Sequence, residues 1–395
     1  MPAGGVLPGV PPPKRLMLTL DTVGTVARGH PWVYREGVIG SAGTGEPVEL
    51  TDGKGKRVAW GLFEGGPIAV RVLGREPMPV ERVVAWRLKD AFALRAALVP
   101  QLGTTNAYRV CHGEGDRLPG LVLDRYDQTF VLRLYARAWE PHLGSIVDAL
   151  RGLGVTSLWR RFGVARVDDR QGGEALIGPE PPDTLVVEEH GVKLLARVKV
   201  GQKTGLFLDQ REHRRMVRGW SAGRSVTNLF SYNGGFSVSA ALGGATRVTT
   251  VDLAPAAIDD AVAIFRLNGV DPSSHAFEVA DVFTWKGAAA DLVVCDPPSL
   301  THAKDADTAA KKAYRDLHRH ILPMARSWLA TSSCTARLAW DRWEEAVREG
   351  LGHPGPGEAD TRWSRLYAGS EPADHPVGLS HPEGRYLKFM LLARR

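Results

Sequence analysis

The sequence predicts an α/β protein whose C-terminal part is a Rossmann-like, open and mainly parallel sheet. Three short apolar runs lead to this prediction, because each ends in a polar or glycine-bearing turn and helix-forming segments alternate with them. The carboxyl ends of parallel strands meet at one edge of such a sheet, where ligands bind. The three runs and the residues that end them are Ser225 to Phe230 with Ser231, Arg247 to Val251 with Asp252, and Asp291 to Cys295 with Asp296.

The first two turns have the features of a nucleotide-binding edge. Phe230 is followed by Ser-Tyr-Asn-Gly-Gly and a helix-forming segment, so backbone and helix N–H groups can approach a ligand closely. At the second turn, the Asp252 carboxylate can accept hydrogen bonds from both hydroxyls of a ribose. A plain tight turn and a helix cap are the alternatives. Because the G-x-G-x-x-G fingerprint is absent, a hydride-carrying cofactor is the weaker interpretation.

The pattern divides the chain into successive parts. Residues 1–13 are predicted to be a disordered leader, 14–78 a β-rich domain, 79–104 a linking helix, 105–200 a small α+β middle domain and 201–395 the Rossmann-like domain. The Pro/Gly-rich stretch at 353–357 is predicted to be a loop. Strands are predicted at Val48 to Leu50, Arg57 to Leu62, Ile68 to Leu73, Leu121 to Leu123, Phe130 to Leu134, Leu158 to Arg161, Lys193 to Val198, Phe277 to Ala280 and Tyr386 to Ala393, and helices at Pro79 to Leu102, Pro141 to Leu153, Gln210 to Trp220, Pro255 to Asn268 and Ala306 to Leu329.

Composition favours a cytoplasmic protein with a polyanionic partner. The 395 residues are 44% hydrophobic and include no apolar run of the ~18 residues needed to cross a bilayer. The net charge of +6 suits nucleic acid, although an arginine-rich proteome would give the same balance. Two arginine clusters are either phosphate contacts or solvated helix faces. They are Arg211, Arg214, Arg215, Arg218 and Arg224, and Arg151, Arg160, Arg161, Arg166 and Arg170.

Taken together, the motifs resemble those of bacterial 23S ribosomal RNA cytosine-C5 methyltransferases, which carry an N-terminal PUA domain ahead of a class I methyltransferase domain. The resemblance covers nearly the whole chain and depends on the number, order and spacing of the motifs. They are His30 to Tyr34, Gly113 to Gly120, Gly201 to Arg211, Phe230 to Phe236, Asp296 to Pro298, Ser332 to Cys334, Asp374 to Val377 and Pro382 to Lys388.

The resemblance implies S-adenosylmethionine (SAM) as cofactor and ribosomal RNA as partner, with a homodimer left open. It also implies a role for individual residues, although Leu300 replaces a usual Phe and the residues after Cys334 depart from the family pattern. For the cofactor these are Phe230, Ser231, Tyr232, Asn233, Gly234 and Gly235 in the turn, Asp252 on the ribose, Asp281 beside the adenine, and Asp209 and Gln210. For the substrate they are Pro297, Pro298, Ser299, Arg211 and His30.

Carbon 5 of cytosine is a poor nucleophile, so a thiolate must first add to carbon 6. The family motif makes Cys334 the candidate, with Asp296 holding the base at nitrogen 3 as charge develops. Cys295 is the rival thiol because it adjoins Asp296, but it lies in an inward-facing apolar run and is expected to be a core residue. Cys111 is remote from the motifs and is expected to be a core residue too. Three scattered cysteines give neither a disulfide framework nor a metal site.

The target cytosine should be unpaired or flipped, because a duplex hides carbon 5. Two other functions stay open: methylation of a base nitrogen without a cysteine, and a non-catalytic RNA-binding module of the same fold. The N-terminal domain is expected to contact phosphates. Its candidate residues are Lys14, Arg15, Arg28, His30 and Arg35.

Overall fold

The computed structural model describes residues 13–164, 167, 170–300, 306–336, 338–352 and 363–395. The predicted leader, except for Pro13, lies outside these residues, as do the predicted loop at 353–357 and Arg166. Three sheets follow one another along the chain, with a hairpin between the second and the third. Within the described residues, no helix combines the length and the apolar character needed to span a bilayer.

The N-terminal domain is a six-stranded sheet that covers a small apolar core. Its strand order is β2-β6-β5-β4-β1-β3, and only the β1–β4 pair is parallel. The β4–β5 hairpin turns at Asp52, whose Oδ1 accepts hydrogen bonds from the N–H groups of Lys54 and Lys56. All three strands predicted here are present. The elements are β1 (Lys14–Leu18), α1 (Leu20–Ala27), β2 (Trp32–Tyr34), β3 (Val38–Ile39), β4 (Pro47–Thr51), β5 (Arg57–Phe63) and β6 (Ile68–Gly74).

The middle domain is a five-stranded sheet, in the order β11-β10-β9-β8-β7, that packs against two helices. Helix α2 does more than link domains, because Val84 and Leu88 are buried in a core that also contains Trp60 and Leu62 of the N-terminal sheet. The two domains therefore share one apolar core. The elements are α2 (Val80–Leu98), a 3₁₀ turn (Val99–Leu102), β7 (Ala107–His112), β8 (Leu121–Tyr126), β9 (Thr129–Leu134), α3 (Leu143–Gly152), β10 (Leu158–Arg161) and β11 (Gly173–Ile177).

A two-stranded hairpin, β12 (Leu185–Glu189) and β13 (Val192–Ala196), follows the middle sheet. Its inward side chains, such as Leu194, lie in an apolar core that contains both Ile264 of the C-terminal domain and Tyr126 of the middle sheet. The hairpin therefore packs between the middle and C-terminal sheets.

The C-terminal domain is a seven-stranded sheet in the order β16-β15-β14-β17-β18-β20-β19. Strands β14 to β18 are parallel and β20 is antiparallel to both neighbours. Separate cores cover the two faces, with Val294 in one and Val293 in the other, so both faces are apolar as parallel strands require. The elements are α4 (Arg211–Gly219), β14 (Ser225–Leu229), α5 (Gly235–Leu242), β15 (Arg247–Asp252), α6 (Pro255–Leu267), β16 (Ala276–Val279), β17 (Ala290–Cys295), α7 (Ala306–Ile321), β18 (Ala325–Ser333), α8 (Trp340–Gly350), β19 (Trp363–Gly369) and β20 (Lys388–Arg394).

The helix predicted from Ala306 to Leu329 is wrong over its last turns. Helix α7 ends at Ile321, and a 3₁₀ turn containing Pro323 leads into β18. Proline cannot donate the hydrogen bond that would continue the helix. The residues from Ala325 onward instead pair with β17 and β20 at the centre of the sheet.

Candidate active site

The structure brings the three predicted strand ends together at the carboxyl edge of the C-terminal sheet. Strand β14 lies between β15 and β17, so the turn at Ser231 has Asp252 on one side and Asp296 on the other. The Ser231 N–H donates a hydrogen bond to the Val251 carbonyl over 3.0 Å. Strand order reverses here, and such a switch point opens a crevice for a ligand.

The turn after β14 is held in an unusual backbone conformation. Phe230 and Tyr232 have φ of 55° and 49°, a region that costs a non-glycine residue about 1 kcal/mol or more. A hydrogen bond from the Tyr232 N–H to Asp252 Oδ2 over 2.8 Å stabilises the turn. Gly234 has φ of 79°, and a Cβ there would lie 2.6 Å from that of Ala261. Any side chain at Gly234 would therefore push α6 away.

The residues at this crevice fit SAM. Asp252 accepts the N–H groups of Tyr232 and Ala254, yet each carboxylate oxygen keeps a free lone pair for a ribose hydroxyl. Asp281 lies one strand further along, exposed, and accepts the N–H of Phe283 over 3.0 Å. The Phe283 ring is 48% exposed and lies 5.6 Å from that of Phe230, which offers an apolar surface for an adenine.

Asp296 is a carboxylate at this edge whose pKa is raised. Burial raises its pKa to about 6, against the opposing effects of a hydrogen bond from Ser332 and the charge of Lys203. Gln210 Nε2 donates to Asp296 Oδ1 over 3.0 Å, and the Ser332 hydroxyl donates to the same oxygen. The other amide end of Gln210 contacts His213 Nδ1 at 2.6 Å, which fixes the direction of the amide. One oxygen of Asp296 is thus held and the other is available.

Cys334 follows β18 directly and shares this edge with Asp296. It stands two positions after Ser332, whose hydroxyl reaches Asp296, and its thiol is only partly buried. Burial and the charge of Asp296 raise the thiol pKa, whereas the charge of Lys203 lowers it. A second cation is close, because Lys388 Nζ donates to the Thr335 carbonyl over 3.0 Å.

Sequence reasoning missed Lys203 and Tyr386 as individual site residues, although both lie inside matched motifs. Their side chains converge on Asp209 Oδ2, which accepts Lys203 Nζ and, over 2.6 Å, the Tyr386 hydroxyl. Burial opposes ionisation of Asp209, but Lys203 and His375 outweigh it and hold the pKa of the carboxyl far below its usual range. The second oxygen of Asp209 is buried without a partner among the described residues. The backbone of Lys203 is left-handed, with φ of 52°, which is uncommon for a lysine and which the sequence does not indicate.

The predicted substrate residues after β17 lie at the same edge. Ser299 Oγ is 3.4 Å from Thr335 Oγ1, which is also 3.1 Å from the Tyr314 hydroxyl. Pro297 is buried and Pro298 exposed. The turn after Asp296 is thereby connected to the turn that carries Cys334.

Two other predicted substrate residues have surroundings that do not support that role. Arg211 is 1% exposed and forms a bidentate ion pair with Asp374 at 2.8 and 3.1 Å, so its guanidinium cannot reach a substrate. His30 is buried beside His381, with Nε2 3.4 Å from Glu383 Oε1. It joins the N-terminal domain to the C-terminal segment, and no open surface is left for phosphate.

The motif residues around Arg211 form a buried link between domains. Asp374 Oδ2 accepts the Arg109 N–H of β7 over 2.9 Å, and the Asp374 carbonyl accepts Arg95 Nη2 over 2.8 Å. Arg95 in turn forms a bidentate pair with Asp116. A Cβ at Gly115 would lie 1.8 Å from the Pro376 carbonyl oxygen, so only glycine fits at this contact.

The other arginines predicted as phosphate contacts differ in their surroundings. Arg214 pairs with Glu189 inside the protein, and the side chains of Arg218 and Arg224 donate to backbone carbonyls. In the N-terminal domain Lys14, Arg15, Arg28 and Arg35 are exposed. Arg15 lies 3.3 Å from Glu49, and Arg35 donates to two carbonyls.

Cys295 and Cys111 are fully buried in separate apolar cores, as expected for packing residues. Burial raises the pKa of both thiols, which disfavours the reactive thiolate. Within the described residues, no group of three His, Cys, Asp or Glu side chains could hold a metal ion.

Comparison with known proteins agrees with this architecture. The S-adenosylmethionine-dependent methyltransferase family matches residues 160–336, and the PUA-like domain family matches 16–75. A Streptococcus mutans protein assigned as a SAM-dependent methyltransferase has the same fold, with a TM-score of 0.83 at 23% identity over 96% of this chain and 100% of that one. The fold and its edge therefore define a SAM-dependent methyltransferase with a PUA-like N-terminal domain.

Two curated relatives specify the family. A ribosomal RNA large subunit methyltransferase of Deinococcus radiodurans is 38% identical over 388 residues, which cover 92% of this chain and 93% of that protein. Ribosomal RNA large subunit methyltransferase I of Klebsiella pneumoniae strain 342 is 34% identical over 95% of this chain and 96% of its own. The chain belongs to the ribosomal RNA large subunit methyltransferase I family.

Proposed function

We propose that this enzyme methylates carbon 5 of an unpaired cytosine in large-subunit ribosomal RNA, with Cys334 as nucleophile. The relatives' names support ribosomal RNA as the substrate class. The observation that carries the chemistry is the placement of a partly exposed thiol and a carboxylate of raised pKa on neighbouring strand ends, β18 and β17. A thiolate and a proton donor are the two groups that addition to a cytosine requires.

The cofactor crevice would bind the methyl donor. Bound SAM supplies an electrophilic methyl group on a sulfonium centre. Asp252 would accept the ribose hydroxyls, the turn at 230–235 would line the crevice, and Phe283 would cover the adenine. These residues fix the position of the methyl donor beside the edge where Asp296 lies.

Asp296 and Cys334 act on different atoms of the base. The Cys334 sulfur forms a bond to carbon 6, and the displaced electron pair increases electron density at carbon 5 and nitrogen 3. The protonated form of Asp296, which the raised pKa of about 6 keeps accessible near neutral pH, donates a hydrogen bond or a proton to nitrogen 3 as that charge develops. After methylation, a base or water takes the carbon-5 proton, the electrons of that C–H bond restore the double bond between carbons 5 and 6 and expel the Cys334 thiolate, and nitrogen 3 returns any proton it took to Asp296.

Lysines favour the reactive form of the thiol. Burial disfavours a thiolate at Cys334, but Lys203 lies near enough to lower the thiol pKa. Lys203 is itself held by Asp209, and the Tyr386 hydroxyl bonds to that same carboxylate. Lys388 anchors the following turn through the Thr335 carbonyl. We infer that Lys203 is the cation that stabilises the thiolate during attack.

Nitrogen methylation is the runner-up. It needs no cysteine, and it usually uses an aromatic residue after the two prolines to stack the base. Here Leu300 occupies that position and packs against the core that contains Cys295. A non-catalytic RNA-binding role would leave no reason to keep Asp296 buried with its pKa raised.

A trapping experiment tests the proposal. The enzyme is incubated with SAM and ribosomal RNA containing 5-fluorocytosine, whose fluorine cannot leave as a proton, so a covalent protein–RNA adduct should accumulate. Cys334→Ala should abolish turnover and adduct, and mass spectrometry of normal product should show 5-methylcytosine. Cys295→Ala is the matched control, which removes a core thiol and should keep the adduct. Methylation by Cys334→Ala would refute the nucleophile, and an N-methylated product would establish the runner-up.

A further inference from the structure

We propose that a strip of side chains on the middle domain binds the phosphate backbone of the RNA strand that leads to the target base. The strip consists of Arg133, Tyr135 and Arg137, at the end of β9 and just beyond, and Arg161 at the end of β10. This inference rests on the proposed function in one respect, namely that the substrate is RNA. It adds the surface that would guide the strand to the active site.

Strand geometry places Arg133, Tyr135 and Arg161 together, and Arg137 follows them along the chain. Arg133 and Tyr135 are two positions apart at the end of β9, so their side chains lie on one face, and Arg137 begins the 3₁₀ turn that comes directly after. Strand β10 runs parallel to β9 with Arg160 beside Leu132, which puts Arg161 next to Arg133. The Arg133 guanidinium lies 5.4 Å from the centre of the Tyr135 ring, which is 42% exposed.

The strip contains positive charge that nothing in the described protein neutralises. Arg133 donates only to the carbonyls of Lys203 and Gly163, its Nε is buried without a described partner, and Arg161 donates only to the Val198 carbonyl. Burial and then the charge of Arg133 lower the pKa of Arg161; the other groups that influence it are tyrosines. Among the described residues, neither arginine has a carboxylate within ion-pair distance.

Elsewhere in the described protein most buried arginines are paired with carboxylates; Arg87, which donates to the Arg117 and Leu73 carbonyls, is an exception. The paired arginines include Arg95, Arg109, Arg160, Arg211 and Arg214. Like charges on neighbouring strands reduce stability, so packing alone does not explain why Arg133 and Arg161 are adjacent. An anionic ligand that fits between them does explain it, because phosphate can accept hydrogen bonds from both guanidinium groups.

The position of the strip specifies an extended ligand. At one end, Arg137 lines a cleft of ≈ 390 Å³ between the N-terminal and middle domains, which Arg170 also lines and where Glu140 is already engaged by Arg160. At the other end, Arg133 Nη1 donates to the carbonyl of Lys203, whose charge lowers the pKa of Cys334. From Arg133 to Tyr135 the chain covers about 7 Å, the rise of about two stacked nucleotides, and Arg137 continues the surface beyond them.

A single RNA strand fits this surface better than a second protein. Its phosphates would meet the guanidinium groups, and a base could stack on the exposed Tyr135 ring. A carboxylate of the bound cofactor is the competing anion, because Tyr232 of the cofactor turn lies close enough to Arg161 to influence it. The two ligands differ in length, and affinity measurements can separate them.

The test uses the full-length protein and an unmodified large-subunit ribosomal RNA transcript, with affinity measured by filter binding between 50 and 300 mM salt. Arg137→Gln and Arg161→Gln should each weaken binding several-fold at low salt and reduce the slope of log affinity against log salt by about 0.7. SAM affinity, measured by calorimetry without RNA, should not change. Arg247→Gln, an exposed site at the opposite edge of the sheet, is the matched control and should leave both affinities unchanged.

The outcomes distinguish this inference from the proposed function. Loss of RNA affinity in the strip variants would support the RNA-binding strip even if Cys334 formed no adduct. Unchanged RNA affinity, or a loss of SAM affinity instead, would overturn it. Arg137 makes no side-chain hydrogen bond to a described residue, so Arg137→Gln should fold normally. The test therefore remains valid even if Arg161→Gln fails to fold. If Arg161→Gln folds, its melting temperature should not decrease, because the substitution removes a repulsion.

Discussion

Replacing Asp296 by Asn should stabilise the protein while it abolishes activity. The carboxyl pKa of Asp296 is raised to about 6, whereas an unfolded Asp titrates near 3.9. Below both values the group is neutral in both states and contributes nothing. As pH rises through this interval the unfolded chain ionises first, so folding becomes less favourable, and the loss is complete above pH 6. Asparagine keeps the shape without this cost.

The magnitude follows from the two pKa values. Linkage gives a cost of roughly 1.5 kcal/mol at pH 5 and about 3 kcal/mol at pH 8 for the ionisable side chain. For a domain of this size, these correspond to melting temperatures higher by about 3–6 °C and about 6–12 °C in Asp296→Asn. The difference between the two pH values is the more robust quantity, because any change in packing should be the same at both.

Thermal unfolding followed by circular dichroism, without cofactor, provides the assay. Asp259→Asn is the matched control, because Asp259 is exposed on α6, and its melting temperature should stay within about 1 °C of the wild type. If the melting temperature of Asp296→Asn falls, or rises equally at pH 5 and pH 8, the inference that the Asp296 carboxylate is buried and costly to ionise is refuted. Retained methylation would refute its role in the reaction.

Three further predictions concern other parts of the protein. Asp252→Ala should weaken SAM binding by tenfold to a hundredfold in calorimetry, because losing hydrogen bonds to a charged acceptor costs roughly 1.5–3 kcal/mol of binding free energy. Unchanged affinity would contradict the assignment of Asp252 to the ribose. The pH profile of kcat/KM should be bell-shaped, with an acid limb near the Asp296 pKa of about 6 and an alkaline limb set by the raised pKa of Cys334, because the reactive form combines the Asp296 acid with the Cys334 thiolate; a profile without a limb near pH 6 would contradict the role of Asp296. Arg211→Met should destabilise the enzyme by about 3 kcal/mol in urea unfolding, because the buried Asp374 loses both guanidinium hydrogen bonds and keeps only the Arg109 N–H and the neighbouring His375. The exposed Arg215→Met should change stability by no more than about 0.5 kcal/mol.

The sequence could predict the edge of the C-terminal sheet because that prediction needs only local information. Apolar runs that end in Asp252 and Asp296 identify strand ends, and parallel strands place their ends together. The same reasoning applies to Cys334, which follows a run of strand-forming residues. None of these inferences requires knowledge of which distant residues come into contact.

The sequence could not predict partners that lie far apart in the chain. Tyr386 bonds to a carboxylate 177 positions earlier, and Arg211 pairs with Asp374 across 163 positions. A cluster of arginines looks the same in the sequence whether each pairs inside the protein or faces a ligand. His30 illustrates the same limit, because its burial depends on Glu383, 353 positions away.

The buried ion pairs also connect the middle domain to catalysis. Arg211 directly follows Gln210, whose amide holds Asp296, and both lie on the short segment that leads into α4. Asp374 fixes Arg211 from one side and accepts the Arg109 N–H of β7 from the other. Because one carboxylate joins these two hydrogen-bond systems, a shift of the middle sheet would move Gln210 relative to Asp296. We therefore infer that the middle domain positions Asp296 for the proposed reaction, which would explain why the motifs of this chain extend so far beyond the crevice.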